Sequence, residues 1–544
     1  MRQGHRIAFA SILFAACFVR LARTLLRSPS VERCVSDVCL VCQQELERLR
    51  LRATTGRRTV QQGGGAASPN NDMDDNECSV YLAPSSVADS NQRPAGFGVY
   101  TTKPLPRGAP IFQRGTGPTV AITDLTMNNN GTRPSWAQLI FMPHCSNFDT
   151  EGDAYQCMKS NNNVGSLTNF HPMLINAKPA DTDVYRDDIL DRRKDPGIGA
   201  FSYHQGEHWY ATRDVAAGEE IYNDYSERWF FDGQLKDEGG RTIPHRKNYF
   251  DAAQAIISFV DGDAPCAKEK TLTQKCLDGF RKTVNVDKRT NQLVSLATAD
   301  VATFLGLVEA AKEKVKAQSR AAPTHTFLYK DYPSGGEEVM QLAMQIGRLT
   351  ILPGHSVDWI KENGRCLDNI YPSISTLRQA GQGAFASRPI EAGDSIVPIP
   401  TTIQVTDRET LNIYEWRDHS DKSGKRQTRY AGKDPISQQL LTNYCFGDNE
   451  SSLLLCPASN ANLINHCSSR LKGIEGHCDP KQGPNAILQW GVDFDSETSE
   501  WLTLTVEEIN ERVEMGRRGL SLEVVATRDI GKDEGTLLEF GMNQ

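Results

Sequence analysis

Residues 381–397 read GQGAFASRPIEAGDSIV, and residues 96–112 read GFGVYTTKPLPRGAPIF. Both stretches have the form G-x-G-x-aromatic-x-x-basic-Pro-aliphatic-x-x-Gly-x-x-Ile, with five identical positions. Glycine permits positive φ or a close backbone approach, and proline marks a strand edge or a turn. The form therefore predicts a tight turn, a short strand, a second turn and another strand, twice in one chain.

A second pair of similar stretches lies downstream of the first. Residues 211–225 read ATRDVAAGEEIYNDY, and residues 526–540 read ATRDIGKDEGTLLEF. Between the two pairs stand NFH at 169–171 and NHC at 465–467. The three landmarks recur in the same order, at offsets of 285, 296 and 315 residues. This order predicts one duplicated domain with loop insertions in the second copy, and the long spacing excludes a solenoid.

The residues between the two copies have a helical pattern. Apolar side chains recur at helical spacing after Thr298, a candidate N-cap. We interpret this stripe as core packing of a helical connecting region over 233–350; its members are Val301, Phe304, Leu305, Val308, Ala311 and Val315.

The composition of the 544-residue chain is that of a globular protein, with 39% apolar and 24% charged residues. These values argue against a wholly disordered, collagen-like or polytopic membrane protein. The net charge of −8 argues against a whole-chain nucleic-acid binder. Residues 1–58 carry eleven arginines and four acids, a charge of +7, so the rest of the chain carries −15.

The N-terminal segment predicts a targeting function. Residues 7–19 are apolar except for Ser11, and as a helix they would span about 20 Å, less than the roughly 30 Å hydrocarbon core. We interpret 1–30 as a signal peptide or short membrane anchor, which predicts a secretory or membrane-anchored protein. The alternatives are an organellar presequence, or a buried terminal helix in a cytoplasmic or nuclear protein. Residues 31–77 predict a basic helix and a flexible linker.

The fourteen cysteines are spread too thinly to indicate a disulfide scaffold. The tight cluster of Cys34, Cys39 and Cys42 offers three thiolates with no evident fourth ligand. Because structural zinc sites use four ligands, no metal site is predicted.

The three landmarks resemble those of the SET-domain family of protein-lysine methyltransferases. In that family a G-x-G turn leads the fold, an Asn-His segment follows, and a hydrophobic-acidic-Tyr segment closes it. The resemblance implies an α+β, β-rich fold: two SET-like β-folds of the knotted β-clip type, at 78–232 and 351–544, joined by the helical segment. It also implies S-adenosyl-L-methionine as cofactor and a protein or peptide carrying lysine as substrate. No Cys-rich segment flanks either copy, which favours a non-histone substrate over the zinc-dependent histone branch.

The resemblance also implies which residues form the site. Tyr225 would supply the hydroxyl that cradles the transferred methyl group. The substrate channel would be lined by Tyr222, Trp229, Phe230 and Phe540. The cofactor would be bound by Gly96, Phe97, Gly98, Asn169, His171, Gly381, Gln382, Gly383, Asn465 and His466.

Each copy departs from the family pattern in a different place. The first has an extra residue between Asn169 and His171, and Pro196-Gly197 stands where the second has Pro484-Asn485. The second has Phe540, which lacks a hydroxyl, where the first has Tyr225. We therefore expect the first copy to be catalytic and the second to bind cofactor weakly, bind substrate or serve as a scaffold. The alternatives are a catalytically degenerate SET-fold module that binds a protein partner, and a membrane-tethered interaction protein.

Overall fold

The structure of the chain is a computed structural model. The chain divides into two units, Met1–Asp74 and Asp75–Gln544. The predicted leader at 1–30 and nearly all of the predicted basic helix and linker lie outside the described residues. The residues that the structure describes all belong to the second unit: 77–88, 92–112, 121–122, 141–143, 158–160, 167–179, 209–225, 243–262, 272–320, 336–377, 382–400, 402–413, 416–420, 426–430, 434–447, 451–467, 483–515, 517 and 519–538.

The described residues form short strands and a group of helices. The strands before the helices are β1 (Val80–Pro84), β2 (Phe97–Thr101), β3 (Ala121–Ile122), β4 (Phe141–Pro143), β5 (Met158–Ser160), β6 (Ala177–Pro179), β7 (Trp209–Ala211) and β8 (Glu220–Ile221). The helices that follow are α1 (Arg246–Asp261), α2 (Gln274–Thr283), α3 (Lys288–Ala297), α4 (Val301–Arg320), α5 (Glu337–Arg348) and α6 (Val357–Asn363).

The C-terminal part is again rich in strands. Its strands are β9 (Arg365–Cys366), β10 (Ile370–Ile374), β11 (Gln382–Ala386), β12 (Ser395–Ile399), β13 (Thr402–Val405), β14 (Asn412–Ile413), β15 (Trp416–Ser420), β16 (Arg426–Tyr430), β17 (Ser437–Gln438), β18 (Phe446–Gly447), β19 (Leu454–Pro457), β20 (Asn465–His466), β21 (Ala486–Trp490), β22 (Leu522–Ala526) and β23 (Gly535–Leu538). Its helices are α7 (Ser496–Trp501), α8 (Val506–Glu514) and the short 3₁₀ helices Arg408–Leu411, Leu440–Tyr444 and Asn460–Leu463. This arrangement confirms the predicted α+β, β-rich class.

The residues between the two strand-rich parts form helices, and two details differ from the sequence interpretation. Helix α4 begins at Val301, and Asp300 caps it by accepting from the Thr303 amide at 2.8 Å. Thr298 is therefore not its N-cap; it ends α3, and its hydroxyl donates to the Val294 carbonyl at 2.7 Å. Leu305 is half exposed and does not belong to the core stripe.

The helices pack through their own hydrophobic core. Tyr249 of α1, Leu277 of α2 and Val294 of α3 are fully buried in it. Among the described residues, no single helix is long and apolar enough to cross a membrane. Helices α3 and α4 meet that length and composition test only as a pair, bent by 96° at the break between them.

Two sheets contain the repeated sequence stretches. The first has the order β8-β2-β1-β9, so strand β9, which follows the helices, completes the sheet of the first half. The second has the order β10-β11-β23-β21-β22-β12, and β20 pairs in parallel with β23. Strands β2 and β11, which carry the G-x-G stretches, therefore each pair with the closing strand of their own half, β8 and β23.

The same backbone geometry recurs at the second turn of each repeated stretch. The amide of Gly108 donates to the carbonyl of Ala211 at 2.8 Å, and the amide of Gly393 donates to that of Ala526 at 2.8 Å. The two glycines have φ of +81° and +92°, which explains why glycine stands in both turns. Further contacts recur: the bridges Leu105–Val215 and Ile390–Ile530, and the ion pairs Arg213–Glu219 (2.5 Å) and Arg528–Glu534 (2.7 Å).

Disulfides connect parts of the fold that the thin spread of cysteines does not reveal. Cys78 and Cys366 are bonded across a sequence separation of 288 residues, next to the β1–β9 pairing. Cys445 is bonded to Cys456. Cys276 and Cys467 each take part in a disulfide as well. The first of these bonds joins the start of the first half to the start of the second.

Candidate functional site

The two glycines of the first-half G-x-G motif are required for different structural reasons. Gly96 is exposed and has a φ of +76°, and a Cβ at this position would meet no atom within 4 Å. The positive φ, rather than a lack of space, therefore explains why this residue is glycine. Gly98 is buried in β2, and a Cβ there would clash with a carboxylate oxygen of Glu220. In the second half, a Cβ on Gly383 would lie 3.1 Å from Nδ2 of Asn465. The second glycine of each motif therefore admits a polar side chain close to the strand backbone.

The landmark asparagines occupy matching places in the two halves. Nδ2 of Asn169 donates to the carbonyl of Phe97 at 2.9 Å, and Nδ2 of Asn465 donates to the carbonyl of Gln382 at 2.8 Å. Both asparagines are partly exposed. Each also donates to a serine hydroxyl, Asn169 to Ser85 at 2.9 Å and Asn465 to Ser375 at 3.1 Å. The predicted G-x-G and Asn segments are thus held together in both halves.

The closing segments pair with these asparagines in parallel. Asn169 forms a parallel bridge with Tyr222, and its carbonyl accepts from the Asn223 amide at 2.9 Å. In the second half, Asn465 is paired with Leu537 in the same sense. Three segments far apart in sequence therefore meet at one place in each half.

Asn176 is a site-forming residue that the sequence interpretation missed. Its Oδ1 accepts from the Tyr222 amide at 2.7 Å, and its Nδ2 donates to the Glu220 carbonyl at 2.8 Å. Asn485 makes the same two bonds, to Leu537 at 2.8 Å and Gly535 at 2.8 Å. The expectation that Pro196-Gly197 stands at this place is therefore wrong, and those two residues lie outside the described part of the chain. The shared Asn-Ala dipeptide, at 176–177 and 485–486, was the available signal.

Tyr225, the predicted catalytic residue, lies beside the landmark asparagine. Its hydroxyl donates to the carbonyl of Thr168, and its ring stacks on Phe170 with centroids 5.9 Å apart. Burial, and secondarily the charge of Glu220, raises the pKa of Tyr225 far above its usual value near 10. The side chain therefore stays a phenol at physiological pH. Because the Tyr225 hydroxyl donates its proton to the Thr168 carbonyl, the phenol oxygen can still accept weak hydrogen bonds through its lone pairs.

A buried carboxylate lies beneath the first-half site. Glu220 is 3% exposed, and no ion pair joins it to a cation among the described residues. Its donors are the Ser86 amide (2.7 Å), the Ser85 hydroxyl (2.9 Å), Asn169 Nδ2 (2.9 Å), the Tyr222 hydroxyl (3.1 Å), the Tyr100 hydroxyl (3.2 Å) and the Ser86 hydroxyl. Such a charge is stabilised by donors but gains further from a nearby cationic ligand. The second half has Gly535 at the equivalent position and so lacks this charge.

The structure places two further predicted residues in the interior. Tyr222, predicted to line a substrate channel, is 1% exposed, and its hydroxyl lies 2.6 Å from that of Ser86. His171, predicted to bind cofactor, is fully buried. The Met173 amide donates to its Nδ1 at 3.2 Å, and its Nε2 lies 2.9 Å from the Thr350 hydroxyl. Both ring nitrogens thus have partners within the protein, one in the local segment and one just after helix α5. Phe170 holds the place that corresponds to His466.

Of the remaining predicted residues, one lies in β20 and the others lie outside the described part of the chain, and one cluster of metal-ligand residue types lies at a disulfide. Half-buried His466 lies in β20. Four predicted residues lie outside the described part of the chain: Gly381, Trp229, Phe230 and Phe540. Cys78, Cys366 and Asp368 have ligand-type atoms within 4.8 Å of one another. Because both cysteines are in a disulfide, they offer no thiolate to a metal ion.

The first-half residues fit a cationic cofactor such as S-adenosylmethionine. A partly exposed asparagine, the backbone of a G-x-G strand and a phenol oxygen belong to segments that meet here, and the asparagine also contacts a buried carboxylate that has no ion pair among the described residues. The second half offers Asn465 and the strand backbone but not the carboxylate.

No protein-family model matches the chain, and no curated protein matches it. Matching solved structures include the crystal structure of a Plasmodium falciparum "putative histone methyltransferase". It is 16% identical, with a TM-score of 0.17, over 32% of this chain and 95% of that one. The chain therefore has a weak structural similarity to a methyltransferase-like protein. A likeness at this score carries no functional argument, so the site rests on the contacts within the chain.

Proposed function

We propose that the chain is an S-adenosylmethionine-dependent methyltransferase that modifies lysine side chains of proteins, with its catalytic site in the first half. The observation that carries the proposal is the meeting of the G-x-G strand, the Asn169 segment and the closing segment that ends in Tyr225. These are the three segments on which the resemblance to SET-domain methyltransferases rests.

We further propose that the two halves are copies of one SET-like knotted β unit. The support is the recurrence of side-chain hydrogen bonds with the same donor and acceptor atoms. Asn169 and Asn465 bind the residue before the second glycine, while Asn176 and Asn485 hold the closing strand by two bonds each. Equal bonds at unequal sequence offsets are expected when a duplicated domain gains insertions in its loops.

Each first-half residue has a defined task in this proposal. When bound, S-adenosylmethionine would supply an electrophilic methyl group to a neutral lysine amine: an N–C bond would form as the S–C bond breaks, S-adenosylhomocysteine would leave, and the methylated amine would pass its extra proton to water. Tyr225 directs its phenol oxygen to accept weak C–H···O contacts from a polarised methyl. Glu220 contributes a negative potential that favours a cationic cofactor over its neutral product. Asn169 fixes the backbone of Phe97 and so the shape of the strand edge.

A second function is favoured by a different observation: a catalytically degenerate SET-fold module that binds a protein partner. Phe170 stands at the first-half place of His466 and fills it with a buried ring. In the second half Phe540 has no hydroxyl. In this case neither half would transfer a methyl group, and the landmark contacts would serve stability alone.

The test uses the full chain, a labelled methyl donor and a panel of lysine-containing proteins and peptides. Transfer to a peptide that is abolished when its lysine is replaced by arginine supports the enzyme. Calorimetry with S-adenosylhomocysteine measures cofactor binding without requiring the right substrate. If neither transfer nor binding is detected, the enzymatic proposal fails. Binding to a protein partner without binding of the donor would support the degenerate module.

We also propose that the chain enters an oxidising compartment through its N-terminal segment, residues 1–30, which would act as a signal peptide or a short membrane anchor. The disulfides support this, because they persist mainly in such compartments. A fluorescent reporter fused to residues 1–60 tests it, and a diffuse cytosolic signal would contradict it.

A further inference from the structure

The helical connecting region is in direct contact with the segment that carries the first-half site. Asn169 and Phe170 belong to the site: Asn169 donates to the Phe97 carbonyl, and Phe170 stacks on Tyr225. A few residues later the same segment enters the helical side, where Met173 is fully buried in the hydrophobic core of the helices. One short stretch of chain therefore contacts both the site and the helices.

Helices α1 and α5 hold this segment closely. A Cβ on Gly347, in the last turn of α5, would lie 2.9 Å from Cβ of Met173 and 3.3 Å from Cε1 of His171. A larger residue at this position would therefore push α5 away from the segment. In α1, Nε of Arg246 donates to the carbonyl of Pro172 at 3.1 Å.

Burial lowers the pKa of His171 from its usual 6.5 to about 3, so the ring is neutral and its hydrogen bonds have a fixed direction. The Met173 amide donates to Nδ1 of His171 at 3.2 Å, which leaves the ring proton on Nε2. The Thr350 hydroxyl donates to the Gly347 carbonyl at 2.7 Å, so its oxygen accepts from Nε2 of His171 at 2.9 Å. The Tyr249 hydroxyl, 3.1 Å from the same oxygen, is a second donor to it. Tyr249 and Thr350 thus fix the orientation of the imidazole ring.

The second half restrains the equivalent position by different means. Cys467 stands two residues after Asn465, as His171 stands two residues after Asn169, and Cys467 is disulfide-bonded. A covalent bond is therefore present where the first half has contacts with the helical region. Both halves restrain the chain directly after the landmark asparagine.

Tyr225 contacts the residues directly before His171. Its hydroxyl donates to the Thr168 carbonyl, and its ring stacks on Phe170. The His171 ring also contacts the closing strand, with its centroid 6.1 Å from that of the Tyr222 ring. A displacement of His171 would therefore move the phenol oxygen of Tyr225, and a small misplacement of a group at the reacting centre is enough to lower a rate.

We propose that Tyr249 and Thr350 are positioning residues for methyl transfer, which through His171 hold the segment that places Tyr225. This proposal rests on the proposed function, because it concerns the same site. Neither residue contacts the reacting groups. The helical region thereby becomes part of the first-half site instead of a mere connection between the two halves.

The test measures methyl transfer by the full chain in Tyr249→Phe and Thr350→Val, each of which removes one hydroxyl. We expect kcat to fall about threefold in each, with the Kd of S-adenosylhomocysteine changed by less than about twofold, because Tyr225 acts on the polarised methyl group alone. Thr350→Ser keeps the hydroxyl and should retain the parent rate. Tyr371→Phe is the matched control, since it removes a hydroxyl bond to Asp533 (2.7 Å) in the second half.

A double variant separates positioning from a general loss of structure. In the Tyr225→Phe background, Tyr249→Phe should have no further effect on kcat, because the oxygen that it positions is absent. Multiplied losses would show that the two tyrosines act independently and would overturn the proposal, as would an unchanged kcat in both single variants. If Thr350→Val does not fold, Tyr249→Phe, which keeps its ring, decides alone.

Fluorine NMR of the chain labelled with fluorotyrosine reads the position of Tyr225 without requiring activity. The Tyr225 resonance, assigned by its loss in Tyr225→Phe, should shift in Tyr249→Phe and Thr350→Val but not in Tyr371→Phe. An unchanged resonance overturns the positioning role even in an active enzyme. A shifted resonance in a chain that neither binds S-adenosylhomocysteine nor transfers methyl groups supports the coupling of Tyr249 to Tyr225 and overturns only the proposed function.

Discussion

Asn176 holds the closing strand of the first half through Tyr222: its Oδ1 lies 2.7 Å from the Tyr222 amide nitrogen. Its Nδ2 also binds the carbonyl of Glu220, and the side chain is fully buried. The strand that precedes Tyr225 is therefore fixed by a side chain rather than by a neighbouring strand alone. The position of Tyr225, and with it the proposed site, depends on this contact.

Asn176→Ala should lower the free energy of unfolding by about 2–4 kcal/mol, because it leaves a buried amide and a buried carbonyl without partners. Urea denaturation of the full chain measures this. Asn291→Ala, at an exposed position of α3, should stay within about 0.5 kcal/mol of the parent. Equal stability of the two variants would mean that the Asn176 bonds are not formed.

Asn176 also shows what the sequence could and could not predict. The glycine turns, the landmark asparagines and the Ala-Thr-Arg-Asp stretches follow from local backbone requirements, so their repetition is visible in the sequence. The equivalence of Asn176 with Asn485 is not visible at that level. Six residues lie between Asn169 and Asn176, whereas nineteen lie between Asn465 and Asn485. A loop insertion of that size hides a single matching residue, while three-dimensional contacts preserve it.

The predicted role of Thr298 is wrong for a related reason. A threonine before an apolar stripe suits an N-cap, but Asp300 stands two residues later and provides the better cap for α4. The disulfides likewise depend on which cysteines meet in space. Cys78 and Cys366 meet only because β9 joins the sheet of the first half.

Tyr225→Phe should reduce the rate of methyl transfer about three- to tenfold, because it removes a weak C–H···O acceptor while keeping the ring that stacks on Phe170. The lost bond to Thr168 should cost about 1 kcal/mol of stability. Tyr210→Phe, at a half-buried tyrosine of β7, serves as the control. Unchanged transfer in Tyr225→Phe would move the catalytic role out of the first half.

Glu220→Gln should weaken the binding of S-adenosylmethionine about fivefold relative to its effect on S-adenosylhomocysteine. The two ligands differ by the sulfonium charge, which the Glu220 carboxylate attracts. Calorimetry on the folded variant with both ligands measures the ratio. An equal loss for both ligands would show that the substitution acts through packing, since Gln would turn an amide donor toward the donors around Glu220.

His171 predicts an acid-dependent loss of stability. Burial lowers the pKa of His171 from its usual 6.5 to about 3. Below pH 6.5 the unfolded chain binds a proton that the folded chain does not, so the stability present above pH 6.5 is lost as pH falls toward 3. Between pH 6.5 and 4.5 this amounts to about 2–3 kcal/mol.

The measurement is urea denaturation of the parent and His171→Gln at both pH values. Glutamine can accept from Met173 and donate to Thr350 but does not titrate. The parent should lose about 2–3 kcal/mol more than the variant over this range. Parallel losses would mean that His171 is solvated enough to take up a proton in the folded state.

The disulfides predict an order of stabilities. In the chain-entropy description, a bond that closes a longer loop removes more freedom from the unfolded chain. For a separation of 288 residues, Cys78–Cys366 should contribute about 5–6 kcal/mol, and for a separation of 11 residues Cys445–Cys456 should contribute about 3 kcal/mol.

Replacing both cysteines of each bond by serine, one bond at a time, and comparing the urea midpoints tests this order. Each variant is the control for the other, because each removes two sulfurs and one crosslink. Equal losses of stability in the two variants would contradict this order. The two halves would then be held together without the Cys78–Cys366 crosslink, by the hydrogen bonds from Ser79 to Asp368 (2.5–3.4 Å) and by the β1–β9 pairing.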